Sequence, residues 1–116
     1  MTNPDVRAAT IAALNDALRR SLLDRRLGRT YLTDGIEGLG PETAARIIAA
    51  VSAFDAFTAD NDPYGEHDFG SLEVDGHRVF FKIDYYSRSD PDCGAEDPSD
   101  AATTERALTI MLAEEY

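Results

Sequence analysis

The sequence predicts an α+β fold, two helices packed on a small antiparallel sheet of three or four strands centred on a hairpin over residues 71–86. Three observations lead there. Two stretches in the first half repeat apolar residues at spacings of three and four, the mark of one buried helix face. Asp75-Gly76 stands between two alternating segments, the strongest short-range hairpin signal. A last apolar run, ALTIML, alternates acceptably as a buried strand.

In chain order, Asn3 before Pro4 reads as an N-cap with proline at the first helical position, and Ile11, Leu14, Leu18 and Leu22 continue an apolar stripe. The spacing predicts helix 1 over 4–25. Its far end carries Arg19, Arg20, Arg25, Arg26 and Arg29, read first as a solvated face that suits the negative end of the helix dipole, with an anion or partner site as the alternative. RTYLTDGI, residues 29–36, is short, β-branched and aromatic, with a turn at Asp34-Gly35, and predicts one short strand. Pro41 opens helix 2, in which Ala44, Ile47, Ile48, Val51 and Phe54 draw the stripe of a core helix up to about Thr58.

FGSLEVDGHRVFFKIDYYS follows. A two-residue type I′ turn at Asp75-Gly76 pairs Leu72 with Val79, Glu73 with Arg78 and Val74 with His77. Leu72, Val74, Val79, Phe81, Ile83 and Tyr85 then share the face toward the helices. Phe80, Lys82, Asp84 and Tyr86 lie on the other. Residues 87–100 read as an acidic surface loop rich in Pro, Gly and Ser. For residues 103–116, a strand added to the hairpin is favoured over a helix capped by Asp100.

The 116 residues fit one domain, 1–116. The single Cys93 rules out an internal disulfide and leaves no Cys/His zinc pattern, as expected of a chain kept in a reducing cytoplasm. No signal-peptide-like or membrane-length apolar run occurs, so no membrane association is expected. The net charge of −11 is unevenly divided: residues 1–59 carry seven acids against seven arginines, whereas residues 60–100 carry twelve acids against Arg78, Lys82 and Arg88. Such a field repels nucleic acid and membranes and attracts basic protein surfaces. A protein partner with a basic surface is expected, and direct nucleic-acid binding is not.

The segment NDPYGEHDFG, residues 61–70, concentrates the chemistry. If the hairpin register continues without a bulge, His67 lies opposite Asp84 on the polar face, and a carboxylate there would fix the imidazole tautomer as a general base or metal ligand requires. Asp62, Glu66 and Asp68 are the further candidate ligands, although no spacing such as HExxH or the EF-hand loop is met. The competing and favoured reading makes the segment a structural joint between helix 2 and the sheet. Cys93, set among Asp92, Glu96 and Asp97, is poorly placed to form a thiolate. No phosphate-binding glycine motif is present and no cofactor is expected. The candidate partner-binding residues are Asp90, Asp92, Glu96 and Asp97, with Tyr86 as an aromatic anchor.

The runs ALNDALRR, AVSAFDAFTADNDPYGEHDFGSLEVDG, FFKIDYY, EDPSD and RALTIMLAEEY resemble a family of small acidic bacterial proteins known only as a domain of unknown function. The resemblance implies a setting on plasmids and other mobile elements, and assigns no activity, cofactor or catalytic residue. Joined to the charge division, it leads to the expectation of a non-enzymatic acidic module. Its carboxylates would stand in for the phosphates of nucleic acid on a basic surface, in anti-defence or regulation. The alternatives are a metal-dependent hydrolase or nuclease built on His67 and Asp84, and a plain structural or interaction domain whose acidity serves solubility.

Overall fold

A computed structural model describes residues 4–116. Three α-helices, α1 (Pro4–Arg20), α2 (Asp34–Glu37) and α3 (Pro41–Ala53), accompany strands β1 (Arg29–Leu32), β2 (Phe69–Val74), β3 (His77–Ser87) and β4 (Thr104–Leu112), and a 3-10 turn covers Ala113–Glu115. The fold is α+β, as expected. The sheet is mixed rather than antiparallel: its order is β1-β4-β3-β2, and β1 runs parallel to β4. The C-terminal apolar run is the favoured strand and lies near the middle of the sheet, where both neighbours cover it.

The expected register holds throughout the hairpin, from Phe69↔Lys82 to Val74↔His77. Asp75 (φ 52°) and Gly76 (φ 80°) both take the positive φ that a type I′ turn demands. Val79, Phe81 and Ile83 point from β3 into one core with Leu108 and Ile110 of β4, Leu18 of α1, Ile36 of α2 and Ile47 and Val51 of α3. Leu72, Val74 and Tyr85 pack on its margin.

The helix ends differ from the periodicity. Helix 1 stops at Arg20 rather than 25, because the chain turns tightly: Ser21 N–H bonds the Leu18 carbonyl at 3.1 Å, and Asp24 accepts from both the backbone and the guanidinium of Arg26. Its expected N-cap, Asn3, lies outside the described residues. The second long helix ends at Ala53 rather than 58. Phe54 is already extended, and the Asn61 amide bonds Thr58 N–H at 2.8 Å and the Ala56 carbonyl at 2.8 Å, closing a loop in place of another helical turn. Asp34-Gly35, read as a turn, begins the short helix α2. Glu115 decides this from 80 residues away, taking hydrogen bonds from Gly35 N–H (3.0 Å), Thr33 Oγ1 (2.7 Å) and Leu112 N–H (2.8 Å). Those bonds, against a smaller effect of burial, hold the Glu115 carboxyl below its ordinary value.

Among the described residues no helix is long and apolar enough to cross a membrane.

Candidate functional site

Two places on this scaffold concentrate polar chemistry, one beneath the helices and one on the open face of the sheet. The first is built from α1. Asn15, Asp16 and Arg19 fall on or beside the stripe of Ile11 and Leu18, so a helix face that buries apolar residues also buries an amide and a guanidinium. Asn15 is fully buried. Its Nδ2 donates to the Glu66 carbonyl at 2.9 Å and to the Tyr85 hydroxyl at 2.8 Å, while its Oδ1 accepts from Arg106 Nε at 2.7 Å. Tyr85 in turn donates to Glu66 Oε1 at 3.1 Å, and Arg106 lies over the Tyr85 ring and donates to the Pro98 carbonyl. Burial, followed by the Asp68 and Glu66 charges, pushes the Tyr85 hydroxyl far above its ordinary value, so it serves as a neutral donor at every physiological pH.

Arg19, expected on a solvated face, is fully buried. It donates to Asp16 at 2.8 Å and to the Phe54 carbonyl at 2.8 Å, and its guanidinium packs against the Phe57 and Phe81 rings. The physical reason is pairing: a buried cation is tolerated where a carboxylate, a carbonyl and aromatic faces receive it. Arg20, Arg25, Arg26 and Arg29 are exposed, as expected of that run.

His67 joins this cluster and does not pair with Asp84. The ladder stops at Phe69 and His67 turns to φ 58°, so the register does not reach it. Its Nδ1 lies 3.0 Å from Asp16 and its Nε2 3.7 Å from Asp62, whose carboxylate also accepts the His67 backbone N–H at 3.2 Å. Phe57 stacks on the ring at 4.0 Å and 3°. Asp84 is on the opposite face, paired with Lys82 at 3.1 Å. Of the expected constellation, Asp62 and Glu66 meet His67 or its neighbours, and Asp68 contributes its carbonyl to Ile83 N–H at 2.8 Å. The Asp68 carboxyl is raised above its ordinary value by burial, to which Glu66, Asp62 and Asp84 add. Burial alone would also raise Asp16, but hydrogen bonds from Arg19 and His67 outweigh it and hold that carboxyl low.

The arrangement bonds Nδ1 of the imidazole to Asp16, leaves Nε2 facing Asp62 at 3.7 Å, and ties α1, the 62–68 segment, β3 and β4 together. Among the described residues no group of three or more His, Cys, Asp or Glu is disposed to hold a metal ion. The contacts of NDPYGEHDFG thus reach further than helix 2 and the sheet, to Asn15 and Asp16 of α1. Sequence reasoning missed Asn15, Asp16, Arg19, Tyr85 and Arg106 as members of this cluster. Two signals were available: Asn15 sits four residues after Ile11 on the apolar stripe, and Arg106 shares the inward parity of Leu108 and Ile110.

The second place is a groove of about 790 Å³ on the face of the sheet away from the helices. Its floor is Ala107 and Thr109 of β4. The register sets Arg29 and Tyr31 of β1 along one side and Lys82 and Asp84 of β3 along the other. Glu105 closes one end, held by Arg29 Nε at 3.2 Å and Arg88 Nη1 at 2.8 Å, with Tyr86 and Pro91 beside it. The loop after β3 shapes that end. Gly94 bridges to Tyr86, and Ala95 N–H bonds the Tyr85 carbonyl at 3.2 Å, so the loop is fastened along β3 rather than free of it.

The acids of that loop are all exposed, and they divide by use. Asp90 accepts from Asp92 N–H and from the Cys93 thiol; Asp97 accepts from Ser99 and pairs with Arg7. The side chains of Asp92 and Glu96 make no hydrogen bond or ion pair among the described residues.

The chain belongs to the family described as "protein of unknown function (DUF3768)", which it matches over residues 32–115. No curated protein and no solved structure matches it. Helix α1, which supplies Asn15, Asp16 and Arg19 to the polar cluster, precedes the matched span.

Proposed function

We propose that this member of the family is a non-enzymatic, cytoplasmic protein-binding module of a single domain, an accessory of mobile DNA that engages a basic surface on its partner. One observation carries the reading: the reactive groups around His67 are bound to one another as the joint, whereas the acids at 90, 92, 96, 97 and 100 lie exposed on one fastened loop. A fixed loop presents charge at lower entropic cost than a free one. In its finer form the proposal has those carboxylates take the place of nucleic-acid phosphates on a restriction, CRISPR or regulatory protein.

The test is Asp92→Lys with Glu96→Lys, because these two side chains hold no turn and their reversal leaves the loop's own bonds in place. Partners recovered from the native host at low salt should bind the wild type, lose binding to the double variant, and dissociate as salt shortens the screening length to about 8 Å at physiological ionic strength. Retention by the charge-reversed protein, unaltered by salt, would refute the reading. A His67→Ala variant separates it from hydrolysis: the expected result is lost stability, and a folded variant that has lost a phosphodiesterase activity of the wild type would favour the enzyme.

A further inference from the structure

We propose that the groove on the open face of the sheet binds a small organic anion, a carboxylate or phosphate carried on a flat ring. The groove follows from the register. On the central strand β4 the outward positions 107 and 109 are alanine and threonine, while the residues paired with them on both neighbours are long: Arg29 and Asp84 flank Ala107, and Tyr31 and Lys82 flank Thr109. Small side chains between two rows of large ones leave a trough, and its volume of about 790 Å³ falls in the range of about 300–1,000 Å³ that small-molecule sites occupy.

Charge decides what enters. The chain has 11 basic residues against 22 acidic ones, yet the trough gathers Arg29, Lys82 and Arg88 against Asp84 and Glu105 alone. Among the lining side chains the sign is reversed by one charge, with Lys82 paired to Asp84 at 3.1 Å and both arginines sharing Glu105. Arg29 holds Glu105 through Nε and Arg88 holds it through Nη1, so the shared carboxylate orients both guanidiniums while each retains further N–H donors for an incoming anion. Tyr31 and Tyr86, both substantially exposed, flank the same space and offer aromatic faces to a planar group. A polyanion or an acidic protein would have to approach against the field of the whole molecule, net −11; a small anion meets mainly the local one.

The experiment is an amide chemical-shift titration of the whole chain with three probes: phenyl phosphate, inorganic phosphate and phenol. Phenyl phosphate should give saturable shifts at Tyr31, Tyr86, Ala107 and Thr109, and bind more tightly than either fragment. Arg29→Gln with Arg88→Gln should weaken it at least about tenfold, the loss of one charge-assisted hydrogen bond. If that pair fails to fold, Lys82→Gln with Tyr31→Ala carries the same expectation. Absence of saturable shifts, shifts away from the trough, affinity unaltered by the substitutions, or inorganic phosphate binding as tightly as phenyl phosphate would overturn the proposal. Asp92 and Glu96 do not line the trough, and Asp92→Lys with Glu96→Lys adds positive charge beside it, so anion binding is kept or tightened where the acidic-loop reading expects partner binding to be lost.

Discussion

Asn15→Ala tests whether the polar cluster under α1 is the joint of the fold. The amide makes three hydrogen bonds, of 2.9, 2.8 and 2.7 Å, and the last holds the guanidinium of Arg106, itself only 3% exposed. Truncation leaves Arg106 Nε and the Glu66 carbonyl without that partner. At about 1–3 kcal/mol for each buried group left unpaired, with the charged one at the upper end, the loss is about 3–5 kcal/mol. Against a total stability of about 5–15 kcal/mol that is a large fraction. At about 4 °C per kcal/mol for a chain of this size, melting should fall by about 12–20 °C. Urea unfolding should show a lower midpoint at an unchanged slope. A cycle with Arg106→Met gives the coupling, because the double variant leaves no guanidinium to be satisfied and should cost clearly less than the two single changes together. A loss below about 1 kcal/mol, or strict additivity in the cycle, would refute the reasoning, since either result means that Arg106 does not depend on Asn15.

Gly70→Ala should destabilise by about 1–3 kcal/mol through overpacking. A methyl there would stand 2.2 and 2.4 Å from ring atoms of the fully buried Phe81, so equal unfolding midpoints for variant and wild type would show that the close approach is not required. Asp68→Asn should stabilise at neutral pH. The folded-state pKa of Asp68 is raised, by burial first, so the charged form costs stability above it, and that cost vanishes as pH falls through the raised value toward the unfolded one. Urea midpoints should therefore favour the variant at neutral pH and converge in acid; a constant difference at both would contradict the sign.

Legibility followed the range of the interactions. The hairpin was readable to the residue because a two-residue turn dictates pairing within a few positions on either side. That local rule gave out at His67, where Asp16, 51 residues away, bonds the ring and Asp62 accepts the backbone N–H. The arginine run illustrates the same boundary: Arg20, Arg25 and Arg26 follow the composition, and Arg19 does not, because its acceptor is the carbonyl of Phe54 at the end of another helix.

The amino-acid sequence alone determines that this chain has amphipathic helices, a type I′ hairpin with one apolar face, a final buried strand and an excess of acid beyond residue 60. Each of these depends on periodicity, on the conformational preference of neighbours or on a simple count of charges. Only the tertiary structure decides that β1 lies parallel to β4, and with it that Arg29 and Tyr31 wall a groove opposite Lys82 and Asp84. Only the tertiary structure brings the histidine-bearing segment against Asn15 and Asp16 of α1. Both outcomes depend on partners dozens of residues apart, whose meeting is set by which buried polar groups can satisfy one another once the core has closed.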